Sequence, residues 1–102
     1  LAQHGFAVEV ARSIQAAVQL SEAQSFDLVI SDVALPDGSG ISLMRQLRSR
    51  RPISGIALSS HESETLVSLC QRAGFAEYLV KPVKEQDLMD ALQRVLGQSA
   101  RA

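Results

Sequence analysis

The sequence predicts a single α/β domain: a parallel sheet with helices on both of its faces. Three observations carry that prediction. Four short apolar runs, "FAVEVA", "FDLVIS", "SGIALSS" and "AEYLV", alternate with four amphipathic stretches. Each amphipathic stretch is long enough to return the chain across a sheet, which parallel strands require. No internal repeat or linker interrupts the alternation, and 102 residues with 46% apolar side chains suit one domain rather than two.

In chain order, Leu1–His4 reads as the last turn of an earlier helix, and Phe6–Ala11 has strand alternation. "SIQAAVQLSEAQ" puts Ile14, Ala17 and Val18 on one helical face, with Ser13 as N-cap. "FDLVIS" is a β-branched run of the kind that builds a buried strand. Asp37, Gly38 and Gly40 supply loop chemistry, with φ > 0 and a helix start. "ISLMRQLRSR" spaces Ile41, Met44, Leu47 and Arg48 as an amphipathic helix, which Pro52 stops. "SGIALSS" (Ser54–Ser60) is the next strand, and "ESETLVSLCQRAGF" a helix with Leu66, Leu69, Cys70 and Ala73 inward, closed by Gly74. After the strand "AEYLV", "KEQDLMDALQRVLG" turns Leu88, Ala91, Leu92, Val95 and Leu96 inward and is capped by Gly97. The domain then spans residues 1–97, with 98–102 as a polar tail. The order is βαβαβαβα, with right-handed crossovers.

Composition narrows the function. Ten basic and eleven acidic residues give a net charge of −1 with no basic stripe, so no nucleic-acid partner is expected. Arg48, Arg50 and Arg51 cluster where cations suit a helix end and read as a solvated helix terminus. The single cysteine, Cys70, sits among Leu66, Val67 and Leu69 as a buried helical thiol, in keeping with a reducing cytoplasm. No apolar run approaches bilayer length, and Leu1–Val10 has no signal-peptide pattern. The absence of an initiating Met suggests that an N-terminal part is missing.

Open parallel sheets gather functional groups outside the carboxyl ends of their strands. Asp32 leaves one strand there, Ser59 the next, and Lys81 the last, followed at once by Pro82. A carboxylate can act as nucleophile or metal ligand, a lysine can pair with it or with phosphate oxygens, and a hydroxyl can bond an oxyanion. Singly, each is ordinary: an Asp after a strand is commonly a turn-former or a helix cap. As a set they describe a phosphoryl acceptor better than an acid–base pair.

The stretches "DLVISDVALPDGSG", "GIALSS" and "AGFAEYLVKPV", in that order, resemble the receiver (response-regulator) domain of two-component phosphorelays over essentially the whole chain. The resemblance implies a flavodoxin-like (CheY-like) doubly wound sheet of strand order 2-1-3-4-5. It makes Asp32 the phosphoacceptor, Ser59 the hydroxyl that bonds the phosphoryl group, and Lys81 the lysine that pairs with it. Pro82 then follows a cis bond, and Tyr78 is the switch aromatic. The backbone carbonyl of Ala34 joins Asp32 as a Mg²⁺ ligand, while Ala34 and His61 tune phosphoryl lifetime. From the residues alone, His61 is an exposed loop histidine and Tyr78 a half-buried strand tyrosine.

The resemblance also implies what is missing before Leu1: a first strand, most of a first helix, and an acidic pair that holds Mg²⁺. That strand belongs between "FAVEVA" and "FDLVIS", so its loss is expected to leave two unpaired edges and exposed apolar surface. Weak Mg²⁺ binding and poor phosphorylation are then expected, with homodimerisation or strand swapping as ways to cover the edges. The implied partner is a histidine kinase or histidine phosphotransfer domain, met through the helix Glu62–Ala73 and the strand "AEYLV". "LPDGSGISLMRQLRSRRPISGIALSS" is similar to receivers at the C-terminus of hybrid sensor kinases. Alone, such a domain carries at most self-phosphorylation and autodephosphorylation. The alternative is a pseudo-receiver, an interaction domain that takes no phosphate. A small flavodoxin-like enzyme lacks its signature, because no glycine-rich phosphate loop or nucleophile–base pair appears.

Overall fold

Leu28, Val29, Ile30 and Ser31 are all buried, which requires a strand covered on both faces. They lie at the centre of the computed structural model, which describes residues 7–100. Its elements run β1 (Val8–Ala11), α1 (Ile14–Ala23), β2 (Leu28–Asp32), β3 (Ala34–Leu35), β4 (Gly38–Ser39), α2 (Gly40–Arg48), β5 (Ser54–Ser59), α3 (Glu64–Ala73), β6 (Phe75–Val80) and α4 (Glu85–Ala100). The main sheet is parallel throughout, in the order β1-β2-β5-β6. The helix reading of Leu1–His4 lies outside the described residues.

The expected gap between the first two strands is closed. β1 pairs directly with β2, Val8 opposite Leu28 and Ala11 opposite Ser31. Asp27 fastens the start of the ladder: its carboxylate accepts the Ala7 N–H at 2.8 Å, and its own N–H donates to the Ala7 carbonyl at 2.8 Å. Two edges that face each other satisfy one another, so the expectation of two unpaired edges fails. The exposed apolar surface is correspondingly small. Among the described residues only Val10 (55%) and Met89 (38%) are large apolar side chains left exposed.

Alternate residues of the strands feed two cores. α1, α2 and α3 close one face through Ala17, Leu43, Met44, Leu47 and Cys70. α4 covers the other, setting Ala91, Leu92 and Val95 on Leu28, Ile30 and Ile56. The helices start where small hydroxyls allow: Ser13, Ser39 and Ser63 each accept the N–H three residues on. Gly74 ends α3 at φ 122°, a conformation side chains disfavour. Burial pushes the Cys70 thiol pKa up, which agrees with a packing role.

One expectation about ends is corrected. α4 does not stop at Gly97 but continues through it to Ala100, so the first three residues of the expected tail are helical. The arginine cluster is exposed at the end of α2, as expected, and it also makes specific contacts. The Arg48 stem lies over Gly74, where an added Cβ would come within 2.3 Å of it, and its guanidinium donates to the Ile53 carbonyl. Arg50 pairs with Glu22 at 3.1 Å. No helix among the described residues is long and apolar enough to cross a membrane.

Candidate functional site

Register decides which strand ends meet. Asp32 is opposite Leu58, and Ser59 is opposite Val80, so Asp32, Ser59 and Lys81 leave three adjacent strands side by side. Backbone bonds carry the stitching past the last ladder positions. Val33 N–H donates to the Leu58 carbonyl at 2.8 Å, and Lys81 N–H to the Ser59 carbonyl at 2.7 Å. The Lys81 ammonium consequently stands 2.9 Å from the Asp32 carboxylate, with both side chains partly open to water (44% and 39%).

Ser59 is buried at 6%, and its Oγ accepts the N–H of His61 at 3.1 Å. The Tyr78 hydroxyl donates to the carbonyl of the same His61 at 2.8 Å. The backbone of His61 is thus a bridge between a strand-end hydroxyl and a β6 aromatic, while its own side chain is exposed. The Lys81–Pro82 bond is cis. Ala34 is exposed in β3, two residues beyond Asp32.

A miniature hairpin of β3 and β4 follows the carboxylate, pairing Ala34 with Ser39 and Leu35 with Gly38. Pro36 and Asp37 form its tip. Gly38 has φ 149°, as its loop reading requires, whereas Gly40 does not have positive φ. Gly40 is the first residue of α2, and the reason for a glycine there is close approach. An added Cβ would lie 2.3 Å from the Asp32 carbonyl and 2.9 Å from the Ser31 Oγ. That Ser31 hydroxyl donates to the same carbonyl at 2.8 Å, and Gly40 N–H donates to the Val33 carbonyl at 2.8 Å. The carbonyls of Asp32 and of Val33 after it are therefore each held by a donor.

Asp37 reaches across to α1. Its two carboxylate oxygens accept the N–H groups of Ile14 at 2.8 Å and Gln15 at 3.0 Å. These donors hold its carboxyl below the ordinary Asp range. A carboxyl whose pKa is depressed by folding adds stability above its unfolded value and loses it as pH falls through the folded value. The stability difference between wild type and Asp37→Asn is therefore expected to be constant near neutrality and to shrink below about pH 3.8. Paired thermal melts across that range check it; a difference that persists at the acid end contradicts it.

The donor set is short for a divalent cation. Among the described residues no three His, Cys, Asp or Glu side chains converge, and the Asp32 carboxylate already faces an ammonium. Asp32 and the Ala34 carbonyl do not by themselves complete such a site. A cleft of about 390 Å³, lined by residues such as Phe26, Leu47 and Arg51, lies at the opposite end of the sheet. The chemistry sits on an open edge rather than in a cavity.

Residues 1–93 match the family described as the response regulator receiver domain. The chain belongs to that family. It is 37% identical over 79 residues to the transcriptional regulatory protein PdtaR of Mycobacterium tuberculosis, a match covering 78% of this chain and 38% of that protein. It is 33% identical over 90 residues to the signal transduction histidine-protein kinase BarA of Shigella flexneri, covering 85% of this chain and 10% of that one. The receiver domain thus spans well under half of either relative. A response regulator protein from Burkholderia pseudomallei, solved with a phosphorylated aspartic acid, calcium ion and citrate, superposes at TM-score 0.77 with 20% identity. That match covers 94% of this chain and 72% of that one, and it speaks for the fold.

In this receiver domain, strand ends alone located Asp32, Ser59 and Lys81. Sequence reasoning missed the steric role of Gly40 and the reach of Asp37, because both depend on contacts that no local pattern records. The only signal was the density of Asp and Gly just after Asp32.

Proposed function

We propose that this receiver domain accepts a phosphoryl group on Asp32 from the phosphohistidine of a histidine kinase or histidine phosphotransfer domain. The observation that carries the reading is the 2.9 Å approach of the Lys81 ammonium to an open carboxylate at the sheet edge. In the transfer, an Asp32 oxygen forms a P–O bond while the P–N bond of the donor breaks, and the imidazole nitrogen keeps the electron pair. Lys81 offsets the charge gathering on the phosphoryl oxygens, the dominant demand of such chemistry. Ser59 donates its hydroxyl proton to one of those oxygens. In turning to do so it releases the His61 N–H, and because Tyr78 hangs on the His61 carbonyl, the change reaches β6 and the start of α3. That surface, Glu62–Ala73 with β6, is the partner face of this reading. Likeness to BarA favours a parent chain that is a hybrid histidine kinase, with this segment as its relay module.

Mg²⁺ binding by Asp32 and the Ala34 carbonyl alone is weak in this reading, and the 102-residue chain labels slowly. Homodimerisation or strand exchange loses its main motive, because β1 and β2 already pair. The test is exposure of the chain to acetyl phosphate and Mg²⁺, read by intact mass. One added phosphoryl group, absent from Asp32→Ala, is the expected result. No addition to a folded wild type, in this chain or in one extended upstream, replaces the reading with a pseudo-receiver.

A further inference from the structure

The hairpin that follows Asp32 is built of two-residue strands, too short to hold its own place. Its tip is nevertheless attached to a distant element, the start of α1. Both Asp37 oxygens are bonded to the first two N–H groups of α1, more than twenty residues earlier in the chain. Next to it, Gly38 lies so close to Ile14 that an added Cβ would meet the Ile14 Cδ1 at 2.7 Å. Two contacts of different kinds, a pair of hydrogen bonds to a carboxylate and a close steric fit, therefore fix the same tip to the same helix turn. Ser13 already caps that helix through the Ala16 N–H. Asp37 adds to the cap and hydrogen-bonds it to the hairpin.

We infer that Asp37 is a positioning residue for the acceptor site, clasping the start of α1 so that the hairpin, and with it the Ala34 carbonyl and the exit of Asp32, keeps one geometry. The role rests on the acceptor reading of Asp32. A carboxylate suits the task because it accepts two N–H groups at once and matches the positive end of the α1 dipole. α1 itself is anchored by Ala17, buried in the core it shares with α2, so the hairpin is braced against a fixed element.

Ser13→Ala supplies the control. It weakens the same helix start without touching the hairpin. Amide exchange over Val33–Ser39 and acetyl-phosphate labelling are measured on wild type, Asp37→Ala, Asp37→Asn and Ser13→Ala, with thermal melts confirming that each is folded. Asp37→Ala is expected to speed hairpin exchange about tenfold, the scale of a lost charge-assisted pair. Its maximal labelling rate falls while the acetyl phosphate concentration for half-maximal rate stays put. Asp37→Asn, keeping one acceptor, falls between. Ser13→Ala removes one cap bond of α1 but leaves both Asp37 bonds in place, and changes hairpin exchange and labelling much less than Asp37→Ala. Unchanged hairpin exchange in Asp37→Ala overturns the inference, as does a looser hairpin with unaltered labelling, or equal effects from Ser13→Ala. If the folded wild type takes no phosphoryl group, the acceptor reading is what fails, and hairpin exchange alone then decides whether Asp37 holds the loop.

Discussion

Gly40→Ala is expected to destabilise the domain by about 1–3 kcal/mol and to slow phosphoryl labelling of Asp32 even where the protein is folded. The added methyl would come within 2.3 Å of the Asp32 carbonyl, and that atom has no freedom to retreat. Ser31 donates to it, Val33 next along the chain is bonded to Leu58, and β2 is buried over Leu28–Ser31. Either α2 backs away, pulling Leu43, Met44 and Leu47 from their core, or Asp32 rotates at the strand end. The first movement costs stability and the second costs reactivity. Melting temperature should drop by about 4–8 °C for each kcal/mol in a domain of this size. Gly97→Ala is the contrasting case. Gly97 lies inside α4 with no atom within 4 Å of an added Cβ, so the same change there should stabilise by about 0.5–1 kcal/mol. Equal effects at the two positions would show that helix propensity, not the contact with Asp32, governs Gly40.

What the sequence revealed and what it hid follow one division. Features written within a few residues were legible: the Ser13 cap, the Gly74 stop, the inward faces of the helices, and the strand ends that deliver Asp32, Ser59 and Lys81. Features that join distant segments were not. Asp37 had every mark of an ordinary loop residue until α1 came beside it, and nothing near Arg48 in sequence told that its exposed side chain would run over Gly74. Gly97 shows the reverse error. A glycine after a helical run is a good local sign of an end, yet the chain beyond it keeps helical geometry, and the helix tolerates one exposed glycine at modest cost. The direct pairing of β1 with β2 could not be read from strand order in a family, because it depends on which edges are left to satisfy each other.

Leu28→Ala is expected to give the largest loss of stability, about 2–5 kcal/mol, against a total of roughly 5–15 kcal/mol for such a domain. Leu28 has no exposed surface and lies in the smaller of the two cores, whose buried members are Leu28, Ile30, Ile56, Ala91, Leu92 and Val95. Among the described helices, α4 alone covers that face, so a cavity under it has few neighbours able to relax inward. Leu28 also stands opposite Val8 in the ladder that joins the edge strand to the sheet. Loss of its bulk should therefore weaken both the seat of α4 and the docking of β1. Denaturant titration reads the loss, with Val10→Thr on the exposed side of β1 as a control expected to change stability by no more than about 0.5 kcal/mol. Asp32 is four residue steps along the strand from Leu28, about 13 Å, beyond the range at which substitutions usually couple. Labelling per folded molecule should accordingly be unchanged in Leu28→Ala and reduced in Gly40→Ala. Joint loss in both would mean that the acceptor edge depends on overall stability rather than on the local clamp around Asp32.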